Sequence, residues 1–135
     1  MRRLRTIAAM VGMLLAMCSM ALADTIAGTW TKTTHPDTHN IVLLYSDSEI
    51  VKAIGYAQVG GVPAYWYGEG TFRKGQLALQ YHYSAEATPF GWEPEGRMLL
   101  TVTADGTTLR GTATSRSGNW SESIEMRRIS FVKQR

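Results

Sequence analysis

Residues 64–84 read Ala64-Tyr65-Trp66-Tyr67-Gly68-Glu69-Gly70-Thr71-Phe72-Arg73-Lys74-Gly75-Gln76-Leu77-Ala78-Leu79-Gln80-Tyr81-His82-Tyr83-Ser84. The stretch describes two strands that reverse at Lys74-Gly75, because side chains alternate with period two on either side of a turn signal. Leu77, Leu79, Tyr81 and Tyr83 share one face of the second strand. On the first, Tyr65 and Tyr67 lie opposite Trp66. Pairing about Arg73–Gln76 carries the aromatic ends of both strands to the same place, far from the turn. The expectation is a barrel wall whose mouth is rich in tyrosine and tryptophan.

Outward from this hairpin the same grammar repeats. Strands are expected at about 26–34, 40–46, 49–59, 64–73, 76–84, 97–104, 107–116 and 119–129. Asp105-Gly106 and Gly118 supply tight reversals, Gly60-Gly61-Val62-Pro63 a less regular one. Residues 85–96, with Pro89 and Pro94 excluding regular pairing, form the one long loop. No segment sustains helical periodicity. The fold class is therefore all-β: a single eight-stranded antiparallel up-and-down β-barrel, since closing such a meander removes its exposed edges. Alternation assigns the interior to Leu43 on the second strand, Leu77, Leu79 and Tyr81 on the fifth, and Met98, Leu100 and Val102 on the sixth. Leu109 and Ala113 join from the seventh, Ile124 and Met126 from the eighth. Glycines 55, 68, 70 and 111 fall inside strands, where a missing Cβ permits the bend that closure demands.

The first residues have a different character. Arg2, Arg3 and Arg5 precede an apolar run from Ile7 to about Met20, which ends in Ala21-Leu22-Ala23. That is the pattern of a signal peptide cleaved after Ala23, so residues 1–23 are a leader and 24–135 the domain. The run is too short to span a bilayer, and no later segment rivals it, so no membrane span is expected in the mature chain. Leu15-Ala16-Met17-Cys18 resembles a lipobox with Met17 where a small residue belongs; the soluble-export pattern fits better. Three of the 14 Lys and Arg leave with the leader, so the net charge of +3 falls to zero in the mature chain. The basic balance thus belongs to the leader and gives no support to nucleic-acid binding. Cys18, the only cysteine, leaves as well, and the mature chain can form no disulfide of its own. The expected location is periplasmic or secreted.

Ala27-Gly28-Thr29-Trp30 in the first strand is similar to the Gly-x-Trp opening of lipocalins and avidin-type barrels, the calycin-like group. The resemblance implies that Trp30 closes one barrel end, with a basic residue from the last strand, Arg127 or Arg128, packed across it. Residues 103–112, TADGTTLRGT, look like a hairpin of bacterial members of such families. The chain lacks a TDY-like lipocalin motif and any polar set that matches a biotin site, so biotin binding is not carried over.

Three groups of residues offer chemistry. The aromatic group is Tyr65, Trp66, Tyr67, Tyr81, His82, Tyr83, Phe90 and Trp92. Tyrosine and tryptophan combine apolar area with a polar handle, and Tyr65, Tyr67, Tyr81, Tyr83 and Trp92 are expected to line a pocket for a small, partly apolar or aromatic ligand. The loop bearing Phe90 and Trp92 follows Tyr83 directly and is placed to cover that mouth. The alternative use of these rings is ordinary packing in strands. His35-Pro36-Asp37-Thr38-His39 holds metal-ligating residue types, but its spacing fits no metal motif and a solvated turn explains it at lower cost. Glu69, His82, Glu93 and Glu95 are candidate acids and bases without a recognisable constellation, and no Gly-x-Ser-x-Gly elbow is present. No catalytic residue, metal ligand or cofactor is assigned. The leading expectation is a non-catalytic exported binder of a small molecule. The alternative is an exported interaction or inhibitor-type barrel with a solid core, contacting a protein partner through loops 34–40 and 85–96.

Overall fold

The computed structural model describes residues 26–34, 41–59, 61–84, 86 and 88–129, with the side chains of residues 41, 43, 45, 58 and 59 left out. The leader with its cleavage point, Cys18 and the turn holding His35 and His39 lie outside the described residues.

Among the described residues all eight elements are strands, and every pairing is antiparallel. They are β1 (Gly28–Lys32), β2 (Ile41–Asp47), β3 (Ile50–Val59), β4 (Val62–Arg73), β5 (Gln76–Tyr83), β6 (Glu95–Val102), β7 (Thr108–Ser115) and β8 (Ser121–Arg128). Each pairs with the next in the chain, and the sheet curls until β8 meets β1 through Trp30↔Arg128, Thr31↔Arg127 and Lys32↔Met126. Among the described residues no helix is long and apolar enough to cross a membrane.

The hairpin of β4 and β5 folds as its turn dictates. Lys74 and Gly75 both adopt positive φ, 50° and 76°, the handedness that matches the twist of the flanking strands. Arg73 therefore faces Gln76, and counting back pairs Phe72 with Leu77, Gly70 with Leu79, Gly68 with Tyr81 and Trp66 with Tyr83. Burial alternates strictly along β5, with Leu77, Leu79, Tyr81 and Tyr83 inside. Met98, Leu100, Leu109, Ala113, Ile124 and Met126 are buried as alternation requires, and Val102 packs against them half-buried. On β2 the buried residues are Val42 and Leu44; the Leu43 side chain lies outside the described set.

One end of the body is sealed by Trp30, which is fully buried. Its indole Nε1 donates to the Ile26 carbonyl at 3.0 Å, and the Arg128 guanidinium lies 4.5 Å from the ring centroid. The same guanidinium donates through Nε to the Gly106 carbonyl at 3.2 Å and through Nη1 to the Ala27 carbonyl at 3.0 Å. Of the two arginines considered for this place, it is Arg128 that fills it. One side chain thereby ties the chain before β1, the β6–β7 turn and the end of β8. Burial lowers the Arg128 pKa from its usual value, and a guanidinium starts so basic that it keeps its proton.

The β6–β7 turn is held by a carboxylate. Asp105 Oδ1 accepts from Thr103 Oγ1 at 2.6 Å, Thr107 Oγ1 at 2.8 Å and the Thr107 amide at 3.1 Å. These three donors, the Thr103 hydroxyl foremost, hold its pKa down at about 2 against an ordinary 3.8. The folded value lies below the unfolded one, so the contacts stabilise the fold in full above pH 3.8 and fade as pH falls toward 2. Replacing Asp105 by Ala is expected to lower stability at neutral pH, with the gap to the parent closing below about pH 2. Denaturant unfolding of both proteins across that range checks it.

Candidate functional site

The end opposite Trp30 is open. The strands of a barrel tilt, so a line of direct cross-strand partners climbs as it goes round. From Trp30 the line passes through Val42 and Gly55 to Trp66 and then Tyr83, the last residue of β5. Tyr83 sits beside the long loop of residues 84–94, on the rim.

Two glycines make room for the rings. A Cβ on Gly55 would lie 1.9 Å from Cε2 of Trp66, its direct partner, and one on Gly96 would lie 2.2 Å from the Tyr81 hydroxyl, again its direct partner. Each aromatic thus lies over the bare backbone of the neighbouring strand, a known way to cover a strand glycine. From there the rings run edge to face: Trp66 to Tyr81 at 6.0 Å, Tyr81 to Tyr83 at 6.0 Å, Tyr83 to Trp92 at 5.8 Å. Such geometry sets the positive ring edge on the negative face.

Beside this chain of rings is a cavity of about 330 Å³, inside the roughly 300–1,000 Å³ usual for small-molecule pockets. Trp66, Tyr81 and Tyr83 line one side and Met98, Ile124 and Met126 the other. Ala57 and Ala113 contribute small side chains, while Trp92 and Trp120, each 45% exposed, stand at the rim. Burial raises the pKa of both tyrosine hydroxyls, for Tyr81 with the help of the Glu93 and Glu122 charges and for Tyr83 with that of Tyr81 and Glu122. Both remain neutral O–H groups at neutral pH.

The cavity also holds charge. Lys32, two residues along β1 from Trp30, and Glu122, two residues before Ile124 on β8, take inward positions and meet at 2.9 Å. Their side chains retain only 13% and 17% of their exposure.

The rim is braced from the far side. Glu93 accepts hydrogen bonds from the Ser117 hydroxyl and, at 2.9 Å, from the Ser117 amide, joining the long loop to the β7–β8 turn. These donors pull its pKa below the usual carboxylate range. The neighbouring Arg116 pairs with Glu95 at 2.7 Å, and Glu95 in turn meets His82 Nδ1 at 3.3 Å. That cluster lies on the outer surface, where His82 also packs against Tyr67 at 5.3 Å. Glu69, the remaining acid considered, meets Lys52 at 4.0 Å on the same exposed face. Among the described residues no group of three or more His, Cys, Asp or Glu could hold a metal ion.

Of the five residues expected at the mouth, the structure brings together Tyr81, Tyr83 and Trp92. It does not bring Tyr65 and Tyr67 to them. Those two are 52% and 58% exposed on the outside of β4, stacked against Tyr56 and His82. The reason is parity. Trp66 is the direct partner of Tyr83, so the residues flanking it must face out. The sequence sets Trp66 among the aromatic candidates but not among the five at the mouth, although the register about Arg73↔Gln76 points to it as the inward ring. Sequence reasoning missed Lys32 and Glu122, whose signal is a charge at an inward position of a strand. Phe90 is fully exposed and does not enter the cavity.

Compared with known proteins, the chain matches no family model, no curated protein and no solved structure.

Substituting Gly55 by Ala tests the seating of the rings. The added methyl collides with the Trp66 indole and drives it into the cavity, at an expected cost of about 1–3 kcal/mol. Equilibrium denaturation measures the loss, and a shift in tryptophan emission reports the displaced ring.

Proposed function

We propose that the chain is an exported, non-catalytic barrel that holds a small, partly apolar molecule in its interior cavity. One observation carries this reading: an open cavity of about 330 Å³ lined by Trp66, Tyr81, Tyr83, Trp92, Met98 and Met126. Large apolar walls with a few polar groups among them are what small-molecule sites are made of. The arrangement about Trp30 and Arg128 supports kinship with calycin-like barrels, whose resemblance to the Gly28-x-Trp30 opening implies such a capped end. Export rests on the arginine-led apolar leader ending in Ala21-Leu22-Ala23, which points to the periplasm or the medium. The ligand reading rests on Tyr81, Tyr83 and Trp92, with Trp66 joining them in place of Tyr65 and Tyr67.

The second reading, a protein-binding barrel, draws on Phe90, which stands fully exposed beside Gly91 in the long loop. Exposed aromatic residues on loops are frequent anchors for partners.

Filling the cavity separates the two. Ala113 is buried and lines the cavity, and its replacement by Phe is expected to abolish binding of aromatic small molecules while the protein stays folded. A fluorescence and thermal-shift screen of parent and variant checks it. A parent that responds to no compound, with a partner from the exported fraction captured by the parent and lost in Phe90→Asp, would overturn the cavity reading in favour of the second.

A further inference from the structure

The cavity holds an ion pair. Lys32 and Glu122 are the only charged side chains among the described residues that line it. Their charged atoms lie 2.9 Å apart, and both side chains are largely withdrawn from water. An ammonium group only donates hydrogen bonds and a carboxylate only accepts them. The pair therefore presents a donor and an acceptor side by side. A ligand carrying a net charge gains from one member and is repelled by the other at nearly the same distance, so the cost of stripping its water goes largely uncompensated. A neutral group with an acceptor beside a donor meets both members without that cost. The walls are aromatic: Trp66, Tyr81, Tyr83 and Trp92 follow one another edge to face at 5.8–6.0 Å, an arrangement that an aromatic occupant can extend with further edge-to-face contacts.

Resting on the cavity reading above, we infer that the occupant is a neutral, flat aromatic molecule bearing an amide- or lactam-type edge. Its carbonyl accepts from Lys32 and its N–H donates to Glu122, while the ring system stacks among the aromatic walls.

The test is a calorimetric titration of the protein with four bicyclic aromatic probes of one size: naphthamide, naphthalene, naphthoate and naphthylmethylammonium. Naphthamide is expected to bind best, by about tenfold or more over each of the others. The double variant Lys32→Met, Glu122→Leu removes both charges together, a change that buried pairs tolerate far better than loss of one member. In it the advantage of naphthamide over naphthalene is expected to vanish while naphthalene still binds. Equal binding of naphthalene and naphthamide by the parent overturns the inference and leaves the cavity reading standing, as does a tenfold preference for either charged probe. Failure of all four to bind overturns both. The probe series on the parent alone decides the matter if the double variant does not fold.

Discussion

The register set by the two-residue turn at Lys74-Gly75 is the constraint on which the rest depends. Once Arg73 faces Gln76, every later pair follows, and with it the face on which each side chain lands. A slip by one residue would turn one strand over relative to the other, so that Trp66 would no longer share a face with Tyr81 and Tyr83. The left-handed backbone at both turn positions opposes such a slip,. Gly55 and Gly96 hold the two flanking registers, β3 with β4 and β5 with β6, because only there do bare strand positions stand opposite Trp66 and Tyr81. The turn, the glycines and the rings thus specify one arrangement together.

Much of this was legible. The eight strands, their antiparallel meander and the buried faces of β5 to β8 follow from period-two alternation and turn residues, which are local signals. The placement of Arg128 over Trp30 was legible only as one of two candidates, since neighbouring residues on a strand differ by a face and the choice depends on register with β1. The site was read in part. Tyr81 and Tyr83 carried an unambiguous face because leucines share it. Tyr65 and Tyr67 did not: β4 alternates aromatic with aromatic at that point, so hydrophobicity cannot tell the two faces apart. Lys32 and Glu122 escaped for a different reason. A charge on a strand reads as solvated by default, and only the neighbours Trp30 and Ile124 reveal that these two point inward.

That pair is costly to hold. Two partly buried charges give back little net stability even when well paired, and apolar residues of similar size would pack against Met126 and Ile124 without the desolvation. The cavity itself is costly in the same sense. Ala57 and Ala113 occupy inward positions where Val or Leu would add buried area, and voids lined by apolar groups forfeit contact energy. The sealed end shows that the chain is able to pack tightly: Trp30, Leu77, Leu100 and Leu109 are buried almost completely. Looseness is therefore local, confined to the end that carries the rings, the charges and the braced loop.

The two ends are packed differently. A fold selected only to persist would fill both ends alike, and the short, hydrogen-bonded seam between β1 and β8 would gain most from a solid interior. Instead the polar pair and the aromatic chain are concentrated toward the rim, where Glu93 hydrogen-bonds to Ser117 of the β7–β8 turn. A braced rim over an unfilled interior keeps the cavity's shape when it is empty. On the proposed cavity reading, such preorganisation would lower the ordering cost of taking up a ligand.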